Sequence, residues 1–283
     1  MREIHTETNV EKALAFARKY EICNAHCHIY PVKIADKAVV NIGKFYDLSM
    51  DCETGTSESL IADGKPFGVQ SYLVCSAATD PSQVESINDF IMNECRKHPE
   101  FIGFGTLHPE YEGSFEKEIQ RCMDGGLKGI KLHPDFQMFN IDDEKALPMY
   151  RAAEGKLPIL FHMGDERYDY STPERLLRVM KMFPELHAFA AHLGGYTAWD
   201  EAQEYLAGVN NIWYDCSSSL AFMTPQQAVR YIRSLGVDRV MFGTDFPMWN
   251  HAGELNRFEA LDLTEDERRA ILSGNFKKYF GLD

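Results

Sequence analysis

No apolar run in this chain approaches the roughly 20 residues that a membrane-spanning helix needs. Basic residues are also in deficit, 29 Lys and Arg against 43 Asp and Glu, which leaves a formal charge of −14. That balance argues against nucleic acid or an anionic membrane surface as a partner, since both select basic proteins. It does not exclude a small anionic substrate, because a bound divalent ion inverts the local field. A disulfide pattern is missing too: the 7 cysteines are odd in number, scattered, and include no Cys-x-x-Cys pair. With no signal-like N-terminus, the expectation is a soluble protein in a reduced, cytoplasmic setting. Linkers, low-complexity stretches and internal repeats are absent, so the 283 residues, 45% of them hydrophobic, read as one domain over 1–283 with an irregular insertion at about 31–67.

What the chain does contain is a series of apolar runs, each ending in a side chain able to bind a metal. They are ICNAHCH at 22–28, GIKLH at 129–133, PILFH at 158–162, AFAAH at 188–192 and VMFGTD at 240–245. A polar group at the end of a buried strand must recover its lost hydration, and coordinating a cation does so. Strands are expected near 21–26, 69–75, 102–107, 129–132, 158–161, 188–191, 212–214 and 240–243, with amphipathic helical segments between them. Pro81, Pro173 and Pro225 each follow a helix-capping residue, Asp80, Thr172 and Thr224, as at a first helical position. The closing stretch 264–282 reads as two helices broken at Ser273 and Gly274. Eight strands alternating with helices fit either an open parallel sheet or a closed barrel. Only the barrel brings the ends of a first and an eighth strand to one mouth, so the expected fold is an α/β (β/α)8 TIM barrel.

The residue types then suggest roles. His26 and His28, two apart on a strand, point to one face and can share an ion, while Cys27 between them turns away as a buried thiol. His162 precedes Met163 and Gly164, whose glycine permits a tight turn that aims the imidazole into the mouth. Asp245, alone, would read as a helix cap; beside three strand-end histidines it reads as a ligand doubling as general base. His192 is either a hydrogen-bonded core histidine or a base or electrophile facing substrate. Lys131 and His133 share a strand face and suit a second metal or an anionic substrate group, with a salt-bridged barrel lysine as the plainer reading of Lys131. Arg167, Tyr168 and Tyr170 suit substrate binding or loop capping, and Phe136, Phe139 and Trp249 suit a ring-bearing substrate or ordinary packing. His251 is placed to line the pocket. His5 reads as solvated in a polar N-terminal helix.

The segments NAHCHIYP at 24–31, GIKLHPDF at 129–136, PILFHMGD at 158–165, AHLGG at 191–195, FGTDFPMW at 242–249 and GNFKKYFGL at 274–282 together resemble the amidohydrolase-related branch of the amidohydrolase superfamily. The match runs through almost the whole chain in order. The resemblance implies a distorted metal-dependent barrel with ligands His26, His28, His162 and Asp245, and with His192 as a catalytic residue near a single ion. Lys131 lies near the position that carries a bridging group in binuclear members. By analogy a homodimer is compatible with the branch.

The function expected on these grounds is hydrolysis of a small-molecule amide, ester or lactone. One Zn2+ is expected, with Mn2+, Fe2+ or a second ion as alternatives. The ion activates a water, Asp245 moves its proton, and His192 answers the developing oxyanion. The alternative keeps the site and changes the bond broken: non-oxidative decarboxylation, or hydration, of an aromatic or unsaturated carboxylic acid. The compact length and short first loop tilt the expectation toward hydrolysis.

Overall fold

The computed structural model describes residues 8–283, and His5 lies outside them. In chain order the elements are α1 (Val10–Ala17), β1 (Ile22–His28), α2 (Ala35–Tyr46), α3 (Ser57–Gly64), β2 (Val69–Cys75), α4 (Val84–Lys97), β3 (Phe101–Thr106), α5 (Phe115–Asp124) and β4 (Gly129–Leu132). There follow α6 (Pro134–Gln137), α7 (Leu147–Ala153), β5 (Ile159–Phe161), α8 (Pro173–Met182), β6 (Ala188–Ala190), α9 (Trp199–Leu206), β7 (Ile212–Asp215), α10 (Pro225–Leu235), β8 (Val240–Met241), α11 (His251–Glu259), α12 (Glu265–Arg269) and α13 (Asn275–Phe280). The eight strands lie in the order β1 to β8 in one sheet. Beyond it, Ala25 N–H donates to Phe242 O at 2.8 Å, Asp245 N–H to His26 O at 2.9 Å and His28 N–H to Phe246 O at 2.7 Å. Those bonds join the first strand to the exit of the eighth, which is the (β/α)8 barrel expected from the alternation.

The chain forms two compact units, Met1–Val74 with Asp215–Asp283, and Cys75–Tyr214. In the second unit β3 to β7 pair in parallel, with Phe104 opposite Gly129, Ile130 opposite Ile159, Ile159 opposite Ala188 and Ala188 opposite Ile212. The ring of buried Phe104 occupies the space a side chain at Gly129 would take, since a Cβ there would lie 2.3 Å from the ring. Phe189 closes edge-on against Phe104 at 5.8 Å. Pro173 and Pro225 do open helices, behind Thr172 and Thr224, whose hydroxyls accept from Arg175 N and Gln227 N. Pro81 starts a short 3-10 turn that leads into α4, behind Asp80, whose side chain accepts from Ser82 N.

In the first unit the insertion is more ordered than its composition implies. It carries α2 and α3, and Asp51 N–H and Cys52 N–H donate to Met248 O and Pro247 O at 3.0 and 3.3 Å. Ile42, Tyr46, Leu48 and Met50 pack against Met248 and Trp249, so the segment is seated on the exit of β8. One expectation is corrected here. No break occurs at Ser273 and Gly274: Ala270–Gly274 forms a π turn that links α12 to α13. Within this widened turn, the Ile271 carbonyl accepts from Phe242 N–H at 2.8 Å, which ties the turn to β8. The helix α11 has no clear apolar stripe in sequence, because the polar His251 and Glu254 are among the residues it buries. No helix among the described residues is long and apolar enough to cross a membrane.

Replacing Gly129 with Ala drives a methyl group into the Phe104 ring; we expect a loss of about 1–3 kcal/mol in chemical denaturation, at unchanged strand content by circular dichroism.

Candidate metal centre

The first unit builds its part of the site on the alternation of β1. Asn24, His26 and His28 share a face, and Asn24 clamps the strand to the exit of β8 by donating to Thr244 Oγ1 at 2.8 Å while accepting from Thr244 N–H at 3.1 Å. Asp245 then leaves the strand in a left-handed conformation, φ 57°, which turns its carboxylate back to the histidines. Its Oδ1 lies 3.2 Å from His28 Nε2 and 3.6 Å from His26 Nε2, and the two Nε2 atoms are 3.2 Å apart. Three ligand-type atoms thus face one another in a buried setting, a donor set suited to a divalent ion.

The far side of His26 decides which nitrogen is available. Its Nδ1 lies 3.1 Å from Asp215 Oδ2, so the proton belongs on Nδ1 and the lone pair on Nε2. Asp215 is held in turn by Ser217, whose backbone N–H donates at 3.0 Å and whose hydroxyl also bonds Oδ1.

In the second unit His162 has a neighbour at each ring nitrogen. Its Nε2 lies 3.3 Å from Asp135 Oδ2, and its Nδ1 lies 3.0 Å from His192 Nε2. Asp135 is buried with no hydrogen bond to either carboxylate oxygen. Burial, and then the charge of Asp165, push its carboxyl up to about 8 against the pull of Arg167 and Lys131. His192 and Leu193 both adopt positive φ, 60° and 54°, and Trp199 Nε1–H holds the His192 carbonyl at 3.0 Å. Such backbone is disfavoured for residues with a Cβ and is found where side-chain aim matters more than comfort. Gly164 meets a closer constraint: a Cβ there would lie 2.5 Å from Tyr196 N.

The remaining residues singled out by sequence fall into place around these groups. His133 stacks on His162 at 4.0 Å with rings 10° from parallel, so their in-plane lone pairs run side by side rather than converging. Lys131 is fully buried on β4. Arg167 forms an ion pair with Asp165 at 2.6 Å. Trp249 is buried, with its indole N–H on Ser218 Oγ at 3.0 Å. His251 is a framework residue, its Nδ1 on Asp63 at 2.6 Å and its Nε2 on Asn24 at 2.9 Å. The carboxylates Asp215 and Asp135 escaped the sequence reading. Asp215 bore a usable signal, since Ile212–Tyr214 is another apolar run ending in a metal-capable residue; Asp135, inside a turn, bore none.

A family model described as amidohydrolase matches residues 23–282. The chain belongs to that amidohydrolase family. Among curated relatives of this amidohydrolase, a 2-amino-3-carboxymuconate-6-semialdehyde decarboxylase from Dictyostelium discoideum is 26% identical over 70% of the chain, and the match spans 66% of that relative. A gamma-resorcylate decarboxylase from Rhizobium sp. is 24% identical over 69% of the chain and 75% of the relative. Among solved structures, a 5-carboxyvanillate decarboxylase from Novosphingobium aromaticivorans, complexed with manganese and a nitrobenzoic acid, superposes with a TM-score of 0.72 at 20% identity, covering 94% of this chain and 97% of that one. The expectation of an amide, ester or lactone hydrolase is corrected by these findings, because the relatives are decarboxylases. The compact length that favoured hydrolysis carries no weight, since the decarboxylase fold is matched over nearly its full extent. The same donors that activate water also grip a carboxylate, so the ligand pattern does not select the bond broken.

If Asp215 fixes the His26 tautomer, Asp215→Asn weakens divalent-metal binding roughly 10–100-fold in a metal-buffered titration while thermal unfolding stays cooperative.

Proposed function

We propose that this amidohydrolase is a metal-dependent non-oxidative decarboxylase of an aromatic or unsaturated carboxylic acid. The observation that carries the reading is the convergence of His26 Nε2, His28 Nε2 and Asp245 Oδ1, within 3.6 Å of one another, in a chain whose curated relatives remove carboxyl groups. The proposed ligands are His26, His28, His162 and Asp245, imidazole and carboxylate donors of the kind that hold a divalent ion. His26 carries the Asp215 carboxylate on its far nitrogen, the arrangement that fixes a ligand's tautomer and raises its basicity. Imidazole and carboxylate donors accept manganese, zinc or iron, and manganese, present in the solved relative, is the first to test. When bound, the ion supplies a fixed positive charge for the substrate's carboxylate and a neighbouring oxygen.

The chain's residues divide the remaining work. Decarboxylation needs one proton at the carbon that bore the carboxylate; the C–C electron pair stays on that carbon and carbon dioxide leaves, with no oxidant. Asp245 is the proton carrier. Its Oδ2 accepts from Ser218 Oγ at 2.6 Å, which keeps the carboxylate in one orientation for that transfer. His192, set by its strained backbone and its contact with His162, answers negative charge on the substrate. Lys131, His133 and Arg167 are the cationic and hydrogen-bonding groups assigned to a further polar substituent.

Manganese-loaded protein is expected to release carbon dioxide from at least one acid among gamma-resorcylate, 5-carboxyvanillate and 2-amino-3-carboxymuconate semialdehyde. In deuterated water the product should carry one deuterium at the carbon that lost the carboxylate. Asp245→Asn should lower kcat by roughly 10²–10⁴-fold. Absence of carbon dioxide from a broad panel of such acids overturns the reading.

A further inference from the structure

Asp245 stands at the end of a hydrogen-bonded line whose direction is dictated by chemistry. An indole N–H can only donate, so its 3.0 Å contact makes Ser218 Oγ the acceptor from Trp249. The hydroxyl has a single hydrogen to give, and Asp245 Oδ2 lies 2.6 Å away, while Met248 Sδ at 3.4 Å is the weaker competitor. The other carboxylate oxygen, Oδ1, is the one that faces His28 and His26. Ser218 adopts left-handed backbone, φ 50°, in a run of three serines, and this conformation accompanies the hydroxyl's aim at Asp245.

The indole is itself held in place. It is buried, and the Arg257 guanidinium carbon sits 4.6 Å from its ring centroid. Arg257 is fixed by a 2.6 Å ion pair with the fully buried Glu254. The line therefore begins in the rigid base of α11 and ends on the carboxylate.

We propose that Ser218 and Trp249 are positioning residues that lock the Asp245 carboxylate, Oδ1 turned to the histidine pair and Oδ2 held away, with Trp249 acting only through Ser218. The proposal rests on the reading of Asp245 as a metal ligand. It gives Trp249 a role in orienting a ligand, in place of contact with substrate.

The test is a double-mutant cycle on the full chain with manganese affinity as readout, measured from the free-ion electron paramagnetic resonance signal as Mn2+ is titrated. Ser218→Ala and Ser218→Gly should each weaken Mn2+ binding roughly 10-fold or more. Trp249→Phe, which removes the indole N–H, should weaken it by a smaller factor. Ser218→Ala combined with Trp249→Phe should bind no more weakly than Ser218→Ala alone, because the indole N–H reaches the carboxylate through the Ser218 hydroxyl. Additive losses overturn the relay. So does a Ser218→Gly protein with unaltered affinity, which would place the effect in the backbone and not in the hydroxyl. If Trp249→Phe fails to fold, the two Ser218 variants still decide. Coupled losses without carbon dioxide release would uphold the relay and remove the decarboxylase reading. Carbon dioxide release with unaltered Mn2+ affinity across the variants would remove the relay alone. No Mn2+ binding by the unaltered chain removes the metal-ligand basis of both.

Discussion

A histidine withdrawn entirely from water must have both ring nitrogens answered, and His26 is such a histidine. Asp215 answers Nδ1, which commits the proton to that side and leaves Nε2 with a lone pair facing His28 and Asp245. Most of the site's local structure follows from this requirement. Asn24 and Thr244 hold β1 against the β8 exit so that the nitrogens and the carboxylate meet, and Ser217 holds Asp215. A donor set this close is poorly satisfied by its own protons alone, and a divalent cation is the partner its chemistry fits best.

The second unit reaches a similar arrangement from different parts. Asp135 lies 3.3 Å from His162 Nε2, but it comes from a four-residue helix and not from a strand end. Its carboxyl lacks any hydrogen bond and is raised by burial, a cost that a structural carboxylate would avoid. The positive φ at His192 and Leu193 adds a further local cost in the same segment. Expense of this kind, concentrated around two histidines, marks the segment as shaped by chemistry more than by packing.

Hydrolysis and decarboxylation diverge at this point. Both can use imidazole and carboxylate donors on one ion, so strand-end residues of these types are silent about which bond breaks. That choice depends on how loops present a proton carrier and exclude water, and loop side chains follow no periodicity that a sequence exposes. The insertion carrying α2 and α3 is equally hard to read from its sequence. Its polar composition resembles a solvated excursion, but its backbone is bonded to Pro247 and Met248 and its apolar residues rest on Trp249.

Strand alternation and strand-end polarity are local patterns written every two residues, so the barrel could be read from the chain before any contact between its segments was known. The strand-end positions of His26, His28, His162, His192 and Asp245 were legible for that reason, as were the helix starts at Pro173 and Pro225. The buried polar helix α11 and the π turn at Ala270–Gly274 were not, since each exists to satisfy partners distant in the chain. Only the folded chain shows that Asp215 backs His26 and that Ser218 stands between the Trp249 indole and Asp245. Hydrogen-bond direction is a property of groups brought together from opposite ends of a chain, and no spacing within one segment encodes it.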